Sequence, residues 1–413
     1  MRKNPLPVLF SMVLLDQIAV WMLLPILPLL LVEPSSSFFL LNSATQVESV
    51  GYILLGLIFG TFPLMQFISS PILGEISDKY GRKPTLIFSA LCLTIGYALF
   101  VVGVIFKFIP LLFLARVLSG IGGGSLGVIF ASASDISSEE NRTKNFSIIA
   151  AASGLGLILG PLLGGILSDN TVSSFFSVLI PLYFLTILAL GNLFIVSFYF
   201  VETLERLNAT KTIKWNKPLS YIKNAYHSIQ MRSTFFVSFA FAVSLALFVS
   251  FGPVLIYDRF SLSESSLSYF LAYFGFCIII VQICFVARLS NSLRQIKTLQ
   301  LGLASMFTGL LVLYVASVWV WMLLAAPLIA FGVGLSYTTI TSLLSIMTSK
   351  DKQGEILGIN ASVQSLAFAL PGTISGLIAT KLSISAPIIL AGIIILCSIY
   401  VTLKSKSIGS LSD

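Results

Sequence analysis

Long apolar segments separated by short polar ones run through almost the whole chain. Residues 51–73 contain no charged side chain, the next eleven residues contain five, and residues 85–106 again contain none. A segment that crosses the hydrocarbon of a bilayer as a helix needs about 20 apolar residues. Only 10% of the 413 residues are charged, against about 25% in soluble domains. The sequence therefore predicts an all-α polytopic membrane protein.

The apolar runs and the polar residues between them predict twelve membrane-spanning helices. The only long charge-rich stretch separates two sets of six. We therefore predict an N-terminal six-helix half over 1–200, a central loop over 201–232 and a C-terminal six-helix half over 233–413. The predicted helices are 6–32, 48–73, 84–106, 109–133, 146–169, 176–200, 233–257, 266–288, 299–316, 319–346, 355–380 and 385–404.

The basic residues predict the orientation of the chain. If the N-terminus is cytoplasmic, 20 of the 24 Lys and Arg residues lie in cytoplasmic segments, and only Lys107, Arg259 and Lys381 lie outside. This asymmetry follows the positive-inside rule, so both termini and the central loop are predicted to be cytoplasmic. The net charge of +8 is then a topology signal with attraction to the lipid bilayer, and we expect no nucleic-acid partner.

The charged segment at 74–84 is predicted to be a polar hinge that lies in water between two helices. Gly74 and Gly81 bracket it, as a tight reversal between antiparallel helices requires. Pro84 suits the first turn of the next helix, where its missing N–H removes no hydrogen bond.

The charges of this hinge can interact with helix ends and with each other. Asp78 can face a helix N-terminus, where negative charge is favourable. Arg82 can pair with an acid such as Asp135, and Lys83 adds a second positive charge beside it. These contacts would stabilise one of two conformations. Alternatively, the charges serve only to orient the chain in the membrane.

Two ionisable side chains, Asp16 and Arg116, lie well inside apolar segments. Such a group costs at least about 2.5–3.5 kcal/mol on insertion scales and is a functional hypothesis by default. Asp16 lies about 15 Å from the cytoplasmic face and Arg116 about 10 Å from the outer one, at 1.5 Å per residue. If their helices are neighbours, the two groups can meet and bind and release a proton. Alternatively, they form a static ion pair that fixes helix packing.

The fifth predicted helix carries small residues four apart. Such residues let helices approach backbone to backbone, and a proline in the same helix can kink it. The alternative is ordinary small-residue packing. The residues of this pattern are Gly156, Gly160, Pro161, Gly164 and Gly165.

Four segments together resemble the motifs of one transporter family. The pattern G-x-x-x-D-x-x-G-R-K at 74–83 resembles the loop between the second and third helices of the major facilitator superfamily. Residues 14–28, with L-L-D and then P-I-L-P, resemble the first-helix motif of bacterial drug/proton antiporters, and of tetracycline/proton antiporters in particular. The segment 112–124 resembles the motif whose Arg the family uses in proton coupling. The glycine pattern at 156–165 is similar to the antiporter motif of its exporters.

The resemblance implies the major facilitator fold, with 12 transmembrane helices in two pseudo-symmetric six-helix halves. It also implies a monomer in the bacterial cytoplasmic (inner) membrane that uses Asp16 and Arg116 for proton coupling and the hinge to hold the outward-open state. The chain departs from tetracycline exporters because its ninth helix, 299–316, carries no acid. The second half offers no intramembrane carboxylate at all, so coupling would depend mainly on Asp16.

Polar and aromatic side chains within the apolar segments are candidates to line a central substrate cavity. For any one of the polar residues, a hydrogen bond between helices is an equally good interpretation. The candidates are Gln17, Tyr52, Gln66, Asn192, Phe241, Gln282, Phe331, Tyr337, Asn360 and Gln364.

The resemblance predicts a proton-coupled antiporter that exports a small amphipathic compound or drug. The alternative is a proton-coupled importer or facilitator of a nutrient such as an amino acid, a sugar or a siderophore, and the fifth-helix motif speaks against it. An enzyme would need a cluster of nucleophile, base or metal ligands. One histidine and four cysteines without metal-ligand spacing do not supply one, so we expect no enzyme, no metal and no cofactor.

Overall fold

The computed structural model describes residues 5–34, 36–41, 50–138, 141–170, 172–204, 231–260, 270, 273–278, 280–281, 284, 295–348 and 353–404. These residues form helices and the turns between them. The helices are α1 (Leu6–Leu31), α2 (Tyr52–Tyr80), α3 (Arg82–Ile105), α4 (Ile109–Gly123), α5 (Leu126–Asp135), α6 (Arg142–Ser168), α7 (Leu179–Tyr199), α8 (Arg232–Phe260), α9 (Gln295–Val315), α10 (Val320–Ile346), α11 (Gln353–Lys381) and α12 (Ala386–Lys404).

Eleven helical segments of the described chain are long and apolar enough to cross a membrane. Two consecutive helices, α4 and α5, together make one of these segments, Ile109–Asp135, and are separated only by a turn at 124–125. The predicted all-α polytopic class is therefore confirmed. The predicted helix over 266–288 lies mostly outside the described residues, although 273–278 are helical.

The prediction that the second helix ends at residue 73 was wrong. Helix α2 continues to Tyr80 and α3 begins at Arg82, so Gly74 lies inside a helix and the reversal occurs at Gly81 alone. Gly81 has φ 107°, a conformation that favours glycine over residues with a side chain. The expected polar loop is thus mainly a helix end, because polar residues mark the edge of the hydrocarbon but are compatible with helix beyond it. Pro84 lies in the first turn of α3, as predicted.

The chain packs into two compact units. The first contains Met1–Ile26 and Thr61–Tyr221, and the second contains Leu27–Gly60 and Ile222–Asp413. The end of α1 and the start of α2 thus belong to the second unit. The predicted halves, 1–200 and 233–413, differ from this division at 27–60 and stay a prediction.

In the first unit, glycines allow α4 to lie in backbone contact with two neighbours. A Cβ atom added at Gly96 of α3 would come within 2.9 Å of the Ala115 carbonyl oxygen of α4. A Cβ atom at Gly120 of α4 would come within 2.6 Å of the Phe62 carbonyl oxygen of α2. Real Cβ atoms do not approach other atoms this closely, so each position needs a residue without a side chain.

In the second unit, α8 is the central helix, since most of its residues are buried. It packs against α11 and α12. The hydroxyl of Ser244 in α8 donates a hydrogen bond to the Ala391 carbonyl of α12 at 2.9 Å. This buried hydroxyl is thus bonded to a neighbouring helix, which satisfies a polar group that water does not reach.

Candidate functional site

Asp16 lies on α1 beside a small pocket in the first unit, to which three polar side chains contribute. The pocket has a volume of about 10 Å³, which is room for roughly one water molecule. It is lined by Val13, Asp16, Gln17, Val20, Phe62, Gln66, Leu93, Gly123 and Leu126. From α7, the Asn192 side-chain Nδ2 donates to Asp16 Oδ1 at 3.5 Å. The carboxylate therefore has a polar neighbour on a second helix and space for water.

Arg116 belongs to the same part of the first unit. Its side chain is only 2% exposed, and its guanidinium carbon lies 4.8 Å from the centre of the Phe62 ring, which also borders the Asp16 pocket. Tyr97 of α3 is close enough to interact electrostatically with both Asp16 and Arg116. The two ionisable residues predicted from the sequence thus share two neighbours, Phe62 and Tyr97, in one buried part of the first unit.

The two glutamines of the Asp16 pocket were predicted to line the substrate cavity. Gln17 Oε1 accepts a hydrogen bond from Trp21 Nε1 at 3.2 Å, within α1. Gln66 Nε2 donates to the Gly123 carbonyl oxygen at 3.0 Å, which joins α2 to α4. Both side chains border the pocket, and each also makes a structural hydrogen bond.

Two polar candidates of the second unit are joined by hydrogen bonds between α8 and α11. Ser238 Oγ donates to Asn360 Oδ1 at 2.6 Å. Gln364 Nε2 donates to Ser238 Oγ at 3.3 Å. For Asn360 and Gln364, this geometry favours the interpretation as bonds between helices.

The remaining cavity candidates differ in exposure. Tyr52 and Phe241 are buried in the core of the second unit, and the Tyr52 ring lies 6.1 Å from the ring of Phe251. Phe331 is partly exposed and Tyr337 is exposed. The candidate Gln282 lies outside the described residues.

The hinge of the first unit is organised around the guanidinium group of Arg82. Its Nε donates to Asp135 Oδ2 at 2.9 Å, and its Nη1 lies 2.7 Å from Asp78 Oδ1 and donates to Ser77 Oγ at 2.6 Å. The predicted pair of Arg82 with Asp135 is therefore present. Arg82 joins the end of α2, the start of α3 and the end of α5, and it is nearly buried.

Glu202, which follows α7, completes this hinge, and sequence reasoning missed it. Its two carboxylate oxygens accept hydrogen bonds from the backbone N–H groups of Arg82 at 3.0 Å and Lys83 at 2.9 Å. Oε1 also accepts from the N–H groups of Thr203 and Leu204, both at 3.0 Å. The carboxylate thus caps the start of α3, a role that a side chain of the N-cap residue usually has and that Gly81 cannot fulfil. A glutamate at the start of a charged loop gives no sequence signal for such a contact.

The glycine pattern of the fifth predicted helix lies in α6 and packs against α1. A Cβ atom at Gly160 would come within 2.6 Å of Trp21 Cβ, and one at Gly164 within 2.5 Å of the Met22 carbonyl oxygen. Gly156 faces Gln17 in the same way. The glycine stripe therefore packs along the turns of α1 that directly follow Asp16.

Pro161 and Gly165 complete the pattern within α6. Pro161 lies inside the helix, which continues to Ser168, and Gly165 is buried near its end. In the described part of the chain, no group of three or more His, Cys, Asp or Glu residues could hold a metal ion.

Apolar helices long enough to cross a membrane, with a buried acid and a buried base among them, define a multi-pass membrane protein with candidate functional groups in its interior. Residues 9–372 match the sequence model of the Major Facilitator Superfamily. The chain belongs to this family, and the predicted family and all-α membrane fold are confirmed. The described residues contain eleven spanning segments, so the predicted count of twelve stays a prediction.

Its relatives include proteins named for drug resistance. The chain is 26% identical over 373 residues to the tetracycline resistance protein, class C, of Escherichia coli. The aligned residues make up 88% of this chain and 87% of that protein. It is 28% identical over 381 residues to the class H tetracycline resistance protein of Pasteurella multocida, and this alignment makes up 89% of this chain and 86% of that protein.

Solved structures share the fold at lower identity. The human organic anion transporter MFSD10 (TETRAN) superposes with a TM-score of 0.70 at 20% identity and covers 96% of this chain and 98% of that one. A D-xylose-proton symporter superposes with a TM-score of 0.72 at 15% identity and covers 97% and 96%. One of these structures is a proton symporter, so the fold alone does not set the direction of transport.

Proposed function

We propose that the protein is a proton-coupled antiporter that exports a small amphipathic compound or drug, with the proton carried by Asp16. The observation that carries this proposal is the buried cluster of Asp16, Asn192, Tyr97 and Arg116 in the first unit. The relatives named for tetracycline resistance and the glycine stripe of α6 support export as the direction.

The cluster has the chemistry that proton exchange requires. A carboxylate accepts hydrogen bonds when it is ionised and also donates one when it is protonated, whereas a guanidinium only donates. A buried carboxyl group with a polar neighbour and space for water beside it can take up and release a proton. The pocket beside Asp16 holds roughly one water molecule, which offers a path for the proton. Gln17 and Gln66 border this pocket and are proposed to contact the substrate when it is bound.

In the proposed cycle, the proton and the substrate compete for the same site. Protonation of Asp16 from the outside releases the substrate, and entry of the substrate from the inside displaces the proton. Each ligand shifts the equilibrium between the two conformations only through its different affinity for them. The ion pairs of Arg82 with Asp78 and Asp135 would stabilise the outward-open conformation and break when the site opens inward.

The setting of the protein is also part of the proposal. We place it as a monomer in the bacterial cytoplasmic (inner) membrane, with both termini and the loop 201–232 in the cytoplasm. The 20-to-3 distribution of basic residues between the two sides supports this orientation.

The test is the substitution Asp16→Asn, which keeps the size and hydrogen-bonding capacity of the side chain but cannot titrate. Purified protein is reconstituted in proteoliposomes with an imposed pH gradient, and tetracycline is the first probe of a panel. We expect uphill accumulation of the probe to be abolished and binding of the probe to persist. Asp169→Asn makes the same chemical change at another buried acid of the first unit and should leave accumulation intact.

Continued uphill accumulation by Asp16→Asn would place the proton site elsewhere and favour the static interpretation of the Asp16 cluster. The direction of transport is tested separately in inside-out and right-side-out vesicles. Proton-driven accumulation of a nutrient in right-side-out vesicles would favour the importer.

A further inference from the structure

Asn192 interrupts the buried face of α7. The buried residues of this helix recur at helical spacing, and the others among them are apolar: Pro181, Leu182, Leu185, Ala189 and Val196. Asn192 is only 2% exposed, so it does not have the open surface that the sequence prediction of a cavity residue implies. An amide buried without hydrogen bonds costs free energy, and an apolar residue would continue the stripe without that cost. Its presence calls for a partner.

Asp16 is the hydrogen-bond partner of the NH2 group of the Asn192 amide. Asn192 Nδ2 donates to Asp16 Oδ1 at 3.5 Å, a long hydrogen bond that a small movement of either side chain strengthens or breaks. Asn192 Oδ1, the other half of the amide, is buried and has no hydrogen-bond partner among the described residues. A buried acceptor in this state is rare in native proteins and requires an explanation.

An amide can bond a carboxyl group in either protonation state. When Asp16 is ionised, its carboxylate only accepts hydrogen bonds, and the amide nitrogen of Asn192 donates one to it. When Asp16 carries a proton, its O–H is a donor, and the amide oxygen is the acceptor that it needs. Rotation of the Asn192 amide about its terminal bond exchanges the two groups, so one side chain satisfies both states without a change in helix packing.

Among the described residues, Asn192 is the side chain that donates a hydrogen bond to Asp16. Tyr97 and Gln66 also carry both a donor and an acceptor, but the hydrogen bond to Asp16 comes from Asn192. Arg116 of α4 only donates, and it therefore serves the ionised form alone. Tyr97 of α3 carries a buried hydroxyl without a hydrogen-bond partner in the described part of the chain, and it interacts with Asp16 through space. The side chain that α2 adds at the Asp16 pocket beside Phe62 is the neutral Gln66, and α6 presents its glycine stripe to α1. Asp16, Arg116 and Tyr97 are thus the titratable groups of this cluster.

We propose that Asn192 is the positioning residue of the proton site, which holds Asp16 by a hydrogen bond both before and after proton uptake. This inference rests on the proposed function, in which Asp16 carries the proton. Asn192 lies on α7 and Asp16 on α1. The exchange of one hydrogen bond for the other therefore couples the protonation state of Asp16 to the contact between these two helices.

The test reads the hydrogen bonding of protonated Asp16 directly and needs no substrate. Infrared difference spectra of the purified protein are recorded across a pH titration. The carbonyl stretch of protonated Asp16 is the band that disappears in Asp16→Asn. In Asn192→Leu, which fits the apolar stripe but cannot form hydrogen bonds, we expect this band to move to higher frequency because the carboxyl group loses a partner. Asn192→Gln restores an amide and should return the band toward its original position.

The matched control lies on the same helix. Thr186 Oγ1 donates to the Leu182 carbonyl within α7, so Thr186→Val removes a polar group without touching Asp16 and should leave the band in place. If Asn192→Leu does not yield folded protein, Asn192→Ala removes the same two groups with less bulk. In transport, loss of one hydrogen bond predicts roughly a tenfold fall in the rate of uphill tetracycline export at saturating probe.

The two proposals fail in different ways. An Asp16 band that titrates but keeps its frequency in Asn192→Leu and in Asn192→Ala would refute the role of Asn192 and leave Asp16 as the proton carrier. If no band depends on Asp16 at any pH at which the protein is folded, Asp16 takes up no proton, and both proposals are overturned.

Discussion

The cap that Glu202 places on α3 leads to a prediction whose size follows from the structure. Substitution Glu202→Ala removes the acceptor of the Arg82 and Lys83 backbone N–H groups. A capping side chain contributes about 0.5–2 kcal/mol, and a negative charge at a helix N-terminus contributes about 0.3–1 kcal/mol more. Glu202 is partly exposed, so water replaces part of what is lost. We expect the first turn of α3 to be destabilised by about 2 kcal/mol.

Hydrogen–deuterium exchange measures this local opening. A change of 1.4 kcal/mol is a factor of ten in an equilibrium constant, so about 2 kcal/mol corresponds to roughly 25-fold faster exchange. Mass spectrometry of peptides that cover residues 81–88 should show this acceleration in Glu202→Ala protein in detergent. Residues 203–204 should also exchange faster, because Glu202 accepts their N–H groups.

The control is a neighbouring substitution that leaves the cap intact. Thr203 Oγ1 donates to Asp135 Oδ2 at 3.2 Å and does not touch the N–H groups of α3. Thr203→Val should therefore keep exchange in 81–88 at the wild-type rate. Unchanged exchange in Glu202→Ala would show that water replaces the carboxylate without loss, and the capping argument would be wrong.

Three further predictions concern the hinge, the glycine stripe and the topology. Asp78→Asn removes one ion pair of Arg82, worth about 1 kcal/mol at a side chain that is 35% exposed; transport should fall while membrane insertion, measured by purified yield, persists. Gly160→Ala places a Cβ atom 2.6 Å from a side chain of α1 and should lower the free energy of unfolding by about 1–3 kcal/mol. Gly191→Ala in α7, with nothing within 4 Å, should not lower it, because alanine favours the helix over glycine. A cysteine at position Lys214 should not react with an impermeant reagent added outside intact cells, and labelling there would refute a cytoplasmic central loop.

The cores of the spanning helices could be predicted because the hydrocarbon thickness fixes how many apolar residues are needed. The end of α2 could not be predicted, because charged residues show where the chain leaves the hydrocarbon but not where the helix ends. The position of Asn192 has a sequence signal, since it falls in phase with Leu185, Ala189 and Val196 on one face of α7. Glu202 has none, because its role depends on the chain after α7 folding back to the start of α3.

The single residue between α2 and α3 has a mechanical consequence. At 1.5 Å per residue, the 29 residues of α2 extend about 43 Å, more than the roughly 30 Å of hydrocarbon. The remaining length carries the helix beyond the hydrocarbon up to Gly81, and the carboxylate of Glu202 occupies the space that a side chain at Gly81 would need. Because only Gly81 connects α2 to α3, a change in the tilt of this end of α2 is transmitted directly to the start of α3.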